Sequence, residues 1–365
     1  MLNYGVASEF DGSCFLRFDD TNPETSTREY CDSILKDVSW ITGKPIENVN
    51  YTSNYFDKLY EYAVFLVKRK RAYVCSLSKD VFASEYAGTT REFGKVSPYF
   101  EQRNVEENLE LLKEMKDGKH APGQHVLRAR IDMSSPNMVM RDPILMRVRD
   151  ETHFRDGKCK LFPSYDFAHC ISDALEGTSF FYLSLSLSLN NTRTHIISGT
   201  THSLCTLEFI PNNELYEWVL DAIELEKENR VFQTEFARLN LTYTISSKRV
   251  LRGLVESGVV SGFDDPRLAT LSGLRRRGVP SSSIVEFVNS IGVAKVNSFV
   301  DIEILEACIR RVLDHEAKRV MCVLDPIKVV LKNVDENLDM KVEIPNHPKR
   351  SELGTCSMIC VSFQE

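Results

Sequence analysis

Two adjacent carboxylates near the start of the chain are the side chains whose position best suits ligand binding. Asp19 and Asp20 follow the apolar segment 14–16, which predicts a buried strand, and they begin an Asp-Asp-Thr-Asn-Pro run. Polar turns at the ends of apolar strands are where α/β enzymes bind their ligands, and a carboxylate there can hold an ammonium group. The same run is equally compatible with a helix start, in which Asn22 is the N-cap and Pro23 the first helical residue.

Hydrophobic spacing predicts that strands and helices alternate along the chain, which indicates an α/β protein. Asn104 and Glu107 form a capping box ahead of a helix that ends at Gly118. Further helices are expected at 29–40, 56–71 and over most of 249–320. Strands are expected at 126–131, 138–140, 323–324, 327–331 and 342–344, with a strand-to-helix unit at 162–171.

The composition limits the classes of protein to which the chain can belong. Its 365 residues, 42% of them hydrophobic, suffice for a sizeable core and two or three domains. The sequence contains neither an apolar run of about 18 residues, which a membrane span needs, nor the pattern of a signal peptide. The ten cysteines include no Cys-x-x-Cys pair and no zinc spacing, so reduced cytosolic thiols are expected.

The charge pattern gives only weak information about nucleic acid. A formal net charge of −7 disfavours attraction of the whole surface to phosphate. Two local clusters of cations, at 68–71 and 275–277, are candidate phosphate contacts. Such clusters are more often solvated helix ends, so both interpretations stay open.

Five separated motifs, standing in one order, give the chain a resemblance to the class I glutaminyl-tRNA synthetases. They lie at 14–23, 165–177, 201–209, 247–249 and 264–278. The related glutamyl-tRNA synthetases share the last motif, whereas the residues of the second and third favour the glutamine enzymes.

The resemblance implies a class I synthetase nucleotide-binding (Rossmann-like) fold that lacks its first strand. Residues 1–54 and 164–250 would form the two parts of this catalytic fold, and 55–163 an inserted domain that binds the acceptor end. Residues 251–320 would form a helical subdomain, and 321–365 part of an anticodon-binding β-barrel. Within the inserted domain, Phe100 and Met146 stand where the family tends to have Arg and Tyr.

The activity implied by the resemblance is ATP-dependent activation of L-glutamine, followed by its transfer to the 3′ end of glutamine tRNA. Mg²⁺ would accompany the nucleotide, and the resemblance implies no separate metal site. The chemistry needs no protein nucleophile, because it depends on positioning and on neutralising the charge of the phosphates. A monomeric cytoplasmic protein without membrane contacts is expected.

For glutamine, the resemblance implies contacts from three residues. Asp19 would pair with the α-ammonium group, and Tyr165 would hydrogen-bond the same substrate. His169 would lie near it, because a neutral imidazole that donates and accepts suits an uncharged amide. An ordinary core histidine is an equally good interpretation of His169 taken alone.

For ATP, the implied contacts are at the end of a strand and in a mobile loop. They are Thr206, Arg238 and Leu239, followed by the loop residues Ser246, Ser247 and Lys248. Lys248 would be the catalytic residue that holds the triphosphate in the transition state, since a point charge on a flexible stem suits a moving phosphate.

Three departures from the family pattern lead us to expect little or no activity from this chain. It begins near residues 3–7 of the first helix, so the preceding strand and His-Ile-Gly-His motif are expected to be absent. Residues 178–200 form an atypical insert whose core alternates with a period of two, and the chain ends within the first barrel. Two alternatives to an active glutamine enzyme therefore stay open, namely an inactive remnant that retains at most RNA binding, and a glutamyl-tRNA synthetase.

Overall fold

A computed structural model describes residues 1–46, 48–155, 157–177, 202–225, 230–245, 247–327 and 339–361. The expected insert at 178–200, Ser246 and most of the strand expected at 327–331 therefore lie outside the described residues. Within the described ranges strands and helices alternate, which confirms the α/β class.

The first part of the fold is a parallel strand pair with a crossover helix. Leu16 pairs with Val49 and Phe18 with Tyr51. The elements are α1 (Leu2–Glu9), β1 (Leu16–Phe18), α2 (Arg28–Thr42), β2 (Val49–Tyr51) and, after a 3₁₀ turn at Thr52–Tyr55, α3 (Phe56–Lys68).

Two expectations for this region are wrong. The strand lies at 16–18 and not at 14–16, because Phe18 is the buried residue whereas Cys14 and Phe15 are exposed. The Asp-Asp-Thr-Asn-Pro run also does not start a helix. Helix α2 begins later because the side chain of Thr27 accepts the hydrogen bond from the Tyr30 backbone N–H.

An antiparallel four-stranded sheet follows, in the order β3-β4-β5-β6. The capping box at Asn104 and Glu107 is present as predicted, and its helix, α6, packs on this sheet. The elements are β3 (Ala72–Cys75), α4 (Lys79–Val81) with a π turn at Phe82–Tyr86, α5 (Pro98–Gln102), α6 (Val105–Lys116), β4 (Val126–Ala129), β5 (Ile144–Val148) and β6 (Leu161–Pro163).

The strand expected at 138–140 is a 3₁₀ turn. Asn137 caps this turn, since its side-chain oxygen accepts a hydrogen bond from the Val139 N–H at 3.1 Å. Strand β5 begins only after Pro143.

The second parallel strand pair follows a long helix in the chain. His202 pairs with Phe232 and Thr206 with Phe236. No ladder joins this pair to β1 and β2 within the described ranges, so the catalytic fold shows two separate parallel pairs. The elements are α7 (Tyr165–Gly177), β7 (His202–Thr206), a 3₁₀ helix at Leu207–Asn212, α8 (Asn213–Ala222) and β8 (Phe232–Phe236).

One hydrophobic core connects the antiparallel sheet with α3, α7 and α8. Leu66, Leu127, Phe162, Phe167 and Tyr216 are all fully or almost fully buried in it. The core therefore continues across the domain boundary expected at 163/164. The domain boundaries themselves stay predictions.

The remaining elements are mostly helical, as expected for 249–320. Ile41 of α2 packs against Leu274, Val279 and Ile284 of this region. The elements are β9 (Asn240–Leu241), α9 (Lys248–Glu256), α10 (Leu271–Arg276), α11 (Ser281–Ile291), β10 (Phe299–Val300), α12 (Ile302–Glu316), and a hairpin of β11 (Asp339–Pro345) and β12 (Thr355–Val361) after a 3₁₀ turn at Ser351–Leu353.

The strand expected at 342–344 is part of β11, whereas the one expected at 323–324 is wrong. Val323 and Leu324 are highly exposed and have no strand partner among the described residues. The nine cysteines whose side chains are described are free thiols. No helix in the described ranges combines the length and apolar character that a bilayer crossing requires.

Candidate active site

Arg17 joins strand β1 to helix α7. Its Nη1 donates to Oε2 of Glu176 at 2.7 Å, and its Nη2 donates to Oδ1 of Asp173 at 2.5 Å. Tyr55 donates its hydroxyl hydrogen to the other oxygen of Glu176 at 3.2 Å. Burial alone would lower the pKa of Arg17, but the carboxylates of Asp173 and Glu176 raise it above its ordinary value. The end of β1 is thereby fixed against α7.

The neighbouring Asp20 anchors the turn that follows β1. It is only 1% exposed, and one carboxylate oxygen accepts a hydrogen bond from the Ser53 N–H at 2.8 Å. The other oxygen lies 3.2 Å from Nε2 of His153, which hydrogen-bonds the backbone carbonyl oxygen of Asp20 at 3.0 Å. Burial opposes the charged form, but the nearby His153 ring and the hydrogen bond from Ser53 leave the pKa of Asp20 below its ordinary value.

Asp19 differs from Asp20 because it is exposed. Its Oδ1 accepts a hydrogen bond from the Thr21 N–H at 3.2 Å, which orients the carboxylate within its own turn. The carboxylate that can reach a ligand is therefore Asp19, whereas Asp20 holds the turn in place.

Tyr165 and His169 form an aromatic stack one turn apart on α7. Their rings are nearly parallel, at an angle of 5°, with centroids 4.4 Å apart. His169 is buried, and its Nδ1 lies 3.1 Å from the Tyr165 carbonyl oxygen. Its Nε2 lies 3.3 Å from Oε1 of Gln233, whose amide nitrogen donates to Glu235 and Asn213. His169 thus has the partners of an ordinary core histidine, and it supports the half-exposed Tyr165 ring.

The Tyr165 phenol lies in a negatively charged environment. Burial, followed by the charges of Asp19 and Asp173, raises the pKa of Tyr165 to about 12. The hydroxyl is consequently a hydrogen-bond donor at neutral pH. Tyr165 and His169 thus stack on each other, and Asp19, about 150 positions earlier in the chain, lies close enough for its charge to act on Tyr165.

The predicted ATP contacts begin where β7 and β8 end. Thr206 pairs with Phe236 at the last position of the ladder, so Arg238 and Leu239 follow at the same edge. Thr206 donates its hydroxyl hydrogen to Oε1 of Glu208 at 3.0 Å, and Arg238 donates to Oδ1 of Asn240 at 3.2 Å. Leu239 is 40% exposed. This edge is the carboxyl end of parallel strands, where α/β folds bind ligands.

The predicted loop residues stand at the start of α9. Ser247 is the N-cap residue but makes no side-chain capping bond, and Lys248 is the first helical residue. The Lys248 ammonium lies 5.5 Å from the ring centroid of Tyr30. Ser246 is outside the described residues.

The two cationic clusters differ in their contacts. Arg275 packs helices together, because it pairs with Asp37 of α2 at 3.0 Å and lies 5.7 Å from the Trp40 ring centroid. Arg69 and Arg276 pair with nearby carboxylates on the surface. The cations left exposed and available to a phosphate are Lys68, Lys70, Arg71 and Arg277.

Sequence reasoning missed Arg17 and Gln233. Both contact residues that are distant in sequence, since Arg17 reaches Asp173 across 156 positions and Gln233 reaches His169 across 64. Arg17 lies between two apolar residues, which is typical of a strand, but this pattern does not predict which residues Arg17 contacts. No local pattern identifies Gln233.

Comparison with known proteins decides the family. The sequence profile of "tRNA synthetases class I (E and Q), catalytic domain" matches residues 1–182 and 190–315. The chain belongs to this family. The profile of the class I (E and Q) "anti-codon binding domain" matches residues 317–362. The resemblance drawn from the five motifs is thereby confirmed, and so is the class I synthetase fold.

Curated proteins with similar sequences include glutamine–tRNA ligases. That of Vibrio parahaemolyticus is 49% identical over 354 residues, which are 97% of this chain and 59% of the relative. That of Aliivibrio salmonicida is 47% identical over 355 residues, covering 97% of this chain and 60% of the relative. The chain thus spans about three fifths of the length of these relatives.

Solved class I synthetases share the fold at much lower identity. A glutamate tRNA ligase from Elizabethkingia meningosepticum, in complex with its amino acid, aligns with a TM-score of 0.54 at 14% identity, over 87% of this chain and 66% of that one. The glutamate–tRNA synthetase of Elizabethkingia anophelis aligns with a TM-score of 0.54 at 15% identity, over 85% of this chain and 66% of that one. At this identity the likeness concerns the fold alone.

Proposed function

We propose that this chain carries the catalytic part of a glutamine–tRNA ligase. The reaction would activate L-glutamine with ATP and then transfer it to the 3′ end of glutamine tRNA. The family and the glutamine–tRNA ligases at 47–49% identity support this proposal.

The observation that carries the proposal is the exposed carboxylate of Asp19, which lies within electrostatic reach of the Tyr165 hydroxyl. An exposed carboxylate on a turn held by Asp20 and Arg17 suits the α-ammonium group of an amino acid. The protonated Tyr165 hydroxyl would donate to the same substrate. His169 and Gln233 hold the Tyr165 ring, so the contact is preorganised.

The negative charges around Tyr165 would disfavour a second substrate carboxylate placed beside its hydroxyl. Asp19 and Asp173 both raise the pKa of Tyr165 by their negative charge. The cation that opposes them, Arg17, is already paired with Asp173 and Glu176. A second carboxylate on the substrate would therefore meet repulsion, whereas a neutral side-chain amide would not.

The edge formed by Thr206, Arg238 and Leu239 would bind ATP, with the start of α9 closing over the triphosphate. Ser246 and Ser247 would line the loop, and Lys248 would neutralise charge on the phosphates as pyrophosphate leaves. The described residues contain no cluster of three or more His, Cys, Asp or Glu side chains that could hold a metal ion. Mg²⁺ is proposed to arrive with the triphosphate, as part of the substrate.

Two displacements complete the proposed reaction. The glutamine carboxylate attacks the α-phosphorus of ATP, which forms glutaminyl adenylate and releases pyrophosphate. A ribose hydroxyl of the terminal tRNA adenosine then attacks the activated carbonyl carbon and releases AMP. The protein supplies positioning and charge rather than a nucleophile.

The proposed macromolecular partner is glutamine tRNA. Residues 55–163 would meet its acceptor end, 251–320 the inside of its bend, and 321–365 its anticodon side. The exposed cations Lys68, Lys70, Arg71 and Arg277 are the proposed phosphate contacts from the two clusters. The protein is proposed to act in the cytoplasm as a monomer, without a membrane partner.

Aminoacylation with labelled amino acids tests the proposal. The chain is incubated with ATP, Mg²⁺ and glutamine tRNA, and formation of glutaminyl-tRNA is compared with formation of glutamyl-tRNA. The expected product is glutaminyl-tRNA, and its formation should require ATP. Predominant glutamyl-tRNA would contradict the choice of substrate, and tRNA binding without turnover would favour the inactive remnant. The same assay tests the expectation of low activity, which turnover within about tenfold of common enzyme rates of 1–10³ s⁻¹ would contradict.

A further inference from the structure

The contact between Lys248 and Tyr30 gives a role to a residue that no motif identifies. The ammonium nitrogen of Lys248 lies over the Tyr30 ring, 5.5 Å from its centroid. A cation at this distance from an aromatic face is attracted by the negative charge of the π system. The contact joins the first residue of α9 to the first turn of α2.

The Tyr30 ring is held by its surroundings. The Tyr30 N–H donates to the Thr27 side chain at 3.4 Å, which fixes the start of α2. Phe263 packs against the ring edge to face, with centroids 6.2 Å apart and planes at 68°. Because α2 follows the Asp19 turn at the carboxyl end of β1, the ring stands on the ligand-binding side of the fold.

Helix α9 itself is weakly anchored. None of its nine residues is buried, although all nine are described, and its N-cap Ser247 forms no side-chain capping bond. The next helix is firmly docked, since Arg275 pairs with Asp37 and Leu274 packs against Ile41. The place of the Lys248 ammonium is therefore set more by its contact with Tyr30 than by packing of α9.

We propose that Tyr30 is a positioning residue, whose ring holds the Lys248 ammonium at the edge where the triphosphate binds. The ring covers one side of the ammonium and leaves the other N–H groups free to donate to phosphate oxygens. This inference rests on the proposed function, because it assigns Lys248 to the triphosphate of ATP. It adds a residue on α2 that acts through Lys248 and not on the substrate itself.

NMR of the full chain with ¹³C-methylated lysines tests the contact without requiring activity. Methylation keeps the charge, and a lysine over a ring face has an upfield-shifted methyl signal. The Lys248 signal is assigned by its loss in Lys248→Met. It should be upfield in the wild type and in Tyr30→Phe, and it should return to the ordinary position in Tyr30→Leu.

Binding of Mg·ATP and AMP, measured by calorimetry, tests the positioning role. A cation–π contact of about 0.5–1 kcal/mol corresponds to about two- to fivefold in affinity. Tyr30→Leu should lower the affinity for ATP by that factor and leave the affinity for AMP unchanged, because AMP lacks the phosphates that Lys248 would contact. Tyr30→Phe should bind both nucleotides like the wild type, since it retains the ring face.

Tyr62→Leu is the matched control, because Lys58 lies over the Tyr62 ring at the same 5.5 Å distance. It should shift a different lysine signal and leave the affinity for ATP unchanged. In a Lys248→Met background, Tyr30→Leu should not lower the affinity for ATP any further. The positioning role would be overturned if Tyr30→Leu lowered the affinities for ATP and AMP equally, or if its effect on ATP affinity added fully to that of Lys248→Met. A wild type that binds no ATP would instead overturn the proposed function, whereas the upfield Lys248 signal would still be measurable.

Discussion

Asp19 and Asp20 are adjacent in the chain, yet their carboxylates lie in opposite environments. Asp20 is 1% exposed and is held by the Ser53 N–H and by His153. Asp19 is exposed and oriented only by a contact within its own turn, the 3.2 Å hydrogen bond from the Thr21 N–H. One carboxylate therefore maintains the turn, and the other is available for substrate.

Removing the buried carboxylate should destabilise the protein. In Asp20→Ala the Ser53 N–H loses its acceptor, which costs about 1–3 kcal/mol for a buried group left unsatisfied, whereas His153 keeps the backbone carbonyl oxygen of residue 20. Asp19→Ala is the matched control and should change the free energy of unfolding by less than about 0.5 kcal/mol. Urea unfolding at pH 7 measures both, and equal effects of the two substitutions would contradict the division of roles.

The pH dependence of stability should differ between the wild type and Asp20→Asn. The pKa of Asp20 is lowered in the folded state, because the nearby His153 ring and the hydrogen bond from Ser53 outweigh burial. A lowered folded-state pKa stabilises the protein above the unfolded-state value of 3.8, and this stabilisation is lost as the pH falls through the folded-state value. The wild type should therefore lose more stability than Asp20→Asn as the pH falls below about 4. Urea unfolding from pH 6 to pH 3 measures this difference, and parallel curves would contradict it.

The exposed carboxylate should affect substrate binding without affecting the fold. Asp19→Asn removes the charge that would pair with the ammonium group of glutamine. A hydrogen bond to a charged group is worth about 1.5–3 kcal/mol, so kcat/KM for glutamine should fall about 10- to 100-fold. Steady-state aminoacylation at varied glutamine measures this, with the unchanged KM for ATP as the internal control.

Breaking the Arg17 ion pairs should be costly. Arg17→Met leaves the carboxylates of Asp173 and Glu176, whose side chains are 7% exposed, without their cation. Removing one partner of a buried pair costs about 3–5 kcal/mol. The matched control is Arg276→Met, which breaks an exposed pair with Asp264 and should cost about 0–1 kcal/mol. Thermal or urea unfolding of the two variants measures this difference. Similar losses of stability would contradict the structural role of the Arg17 ion pairs.

The sequence by itself determined those features that depend on neighbouring residues. The helices at 28–42, 56–68 and 105–116 follow from local hydrophobic spacing and, for the last, from the Asn104–Glu107 capping box. The family followed from motifs that are contiguous in the chain. Where two local signals competed, sequence reasoning failed, as at Asn22, whose capping pattern lost to Thr27.

The tertiary structure decided everything that depends on partners distant in the chain. Which of two adjacent aspartates is buried depends on Ser53 and His153, and the place of Tyr165 depends on Gln233 through His169. The strand expected at 323–324 is wrong for the same reason, since a strand needs a partner that local residues cannot supply. Local patterns report propensity, whereas burial and electrostatic environment arise only when remote segments meet.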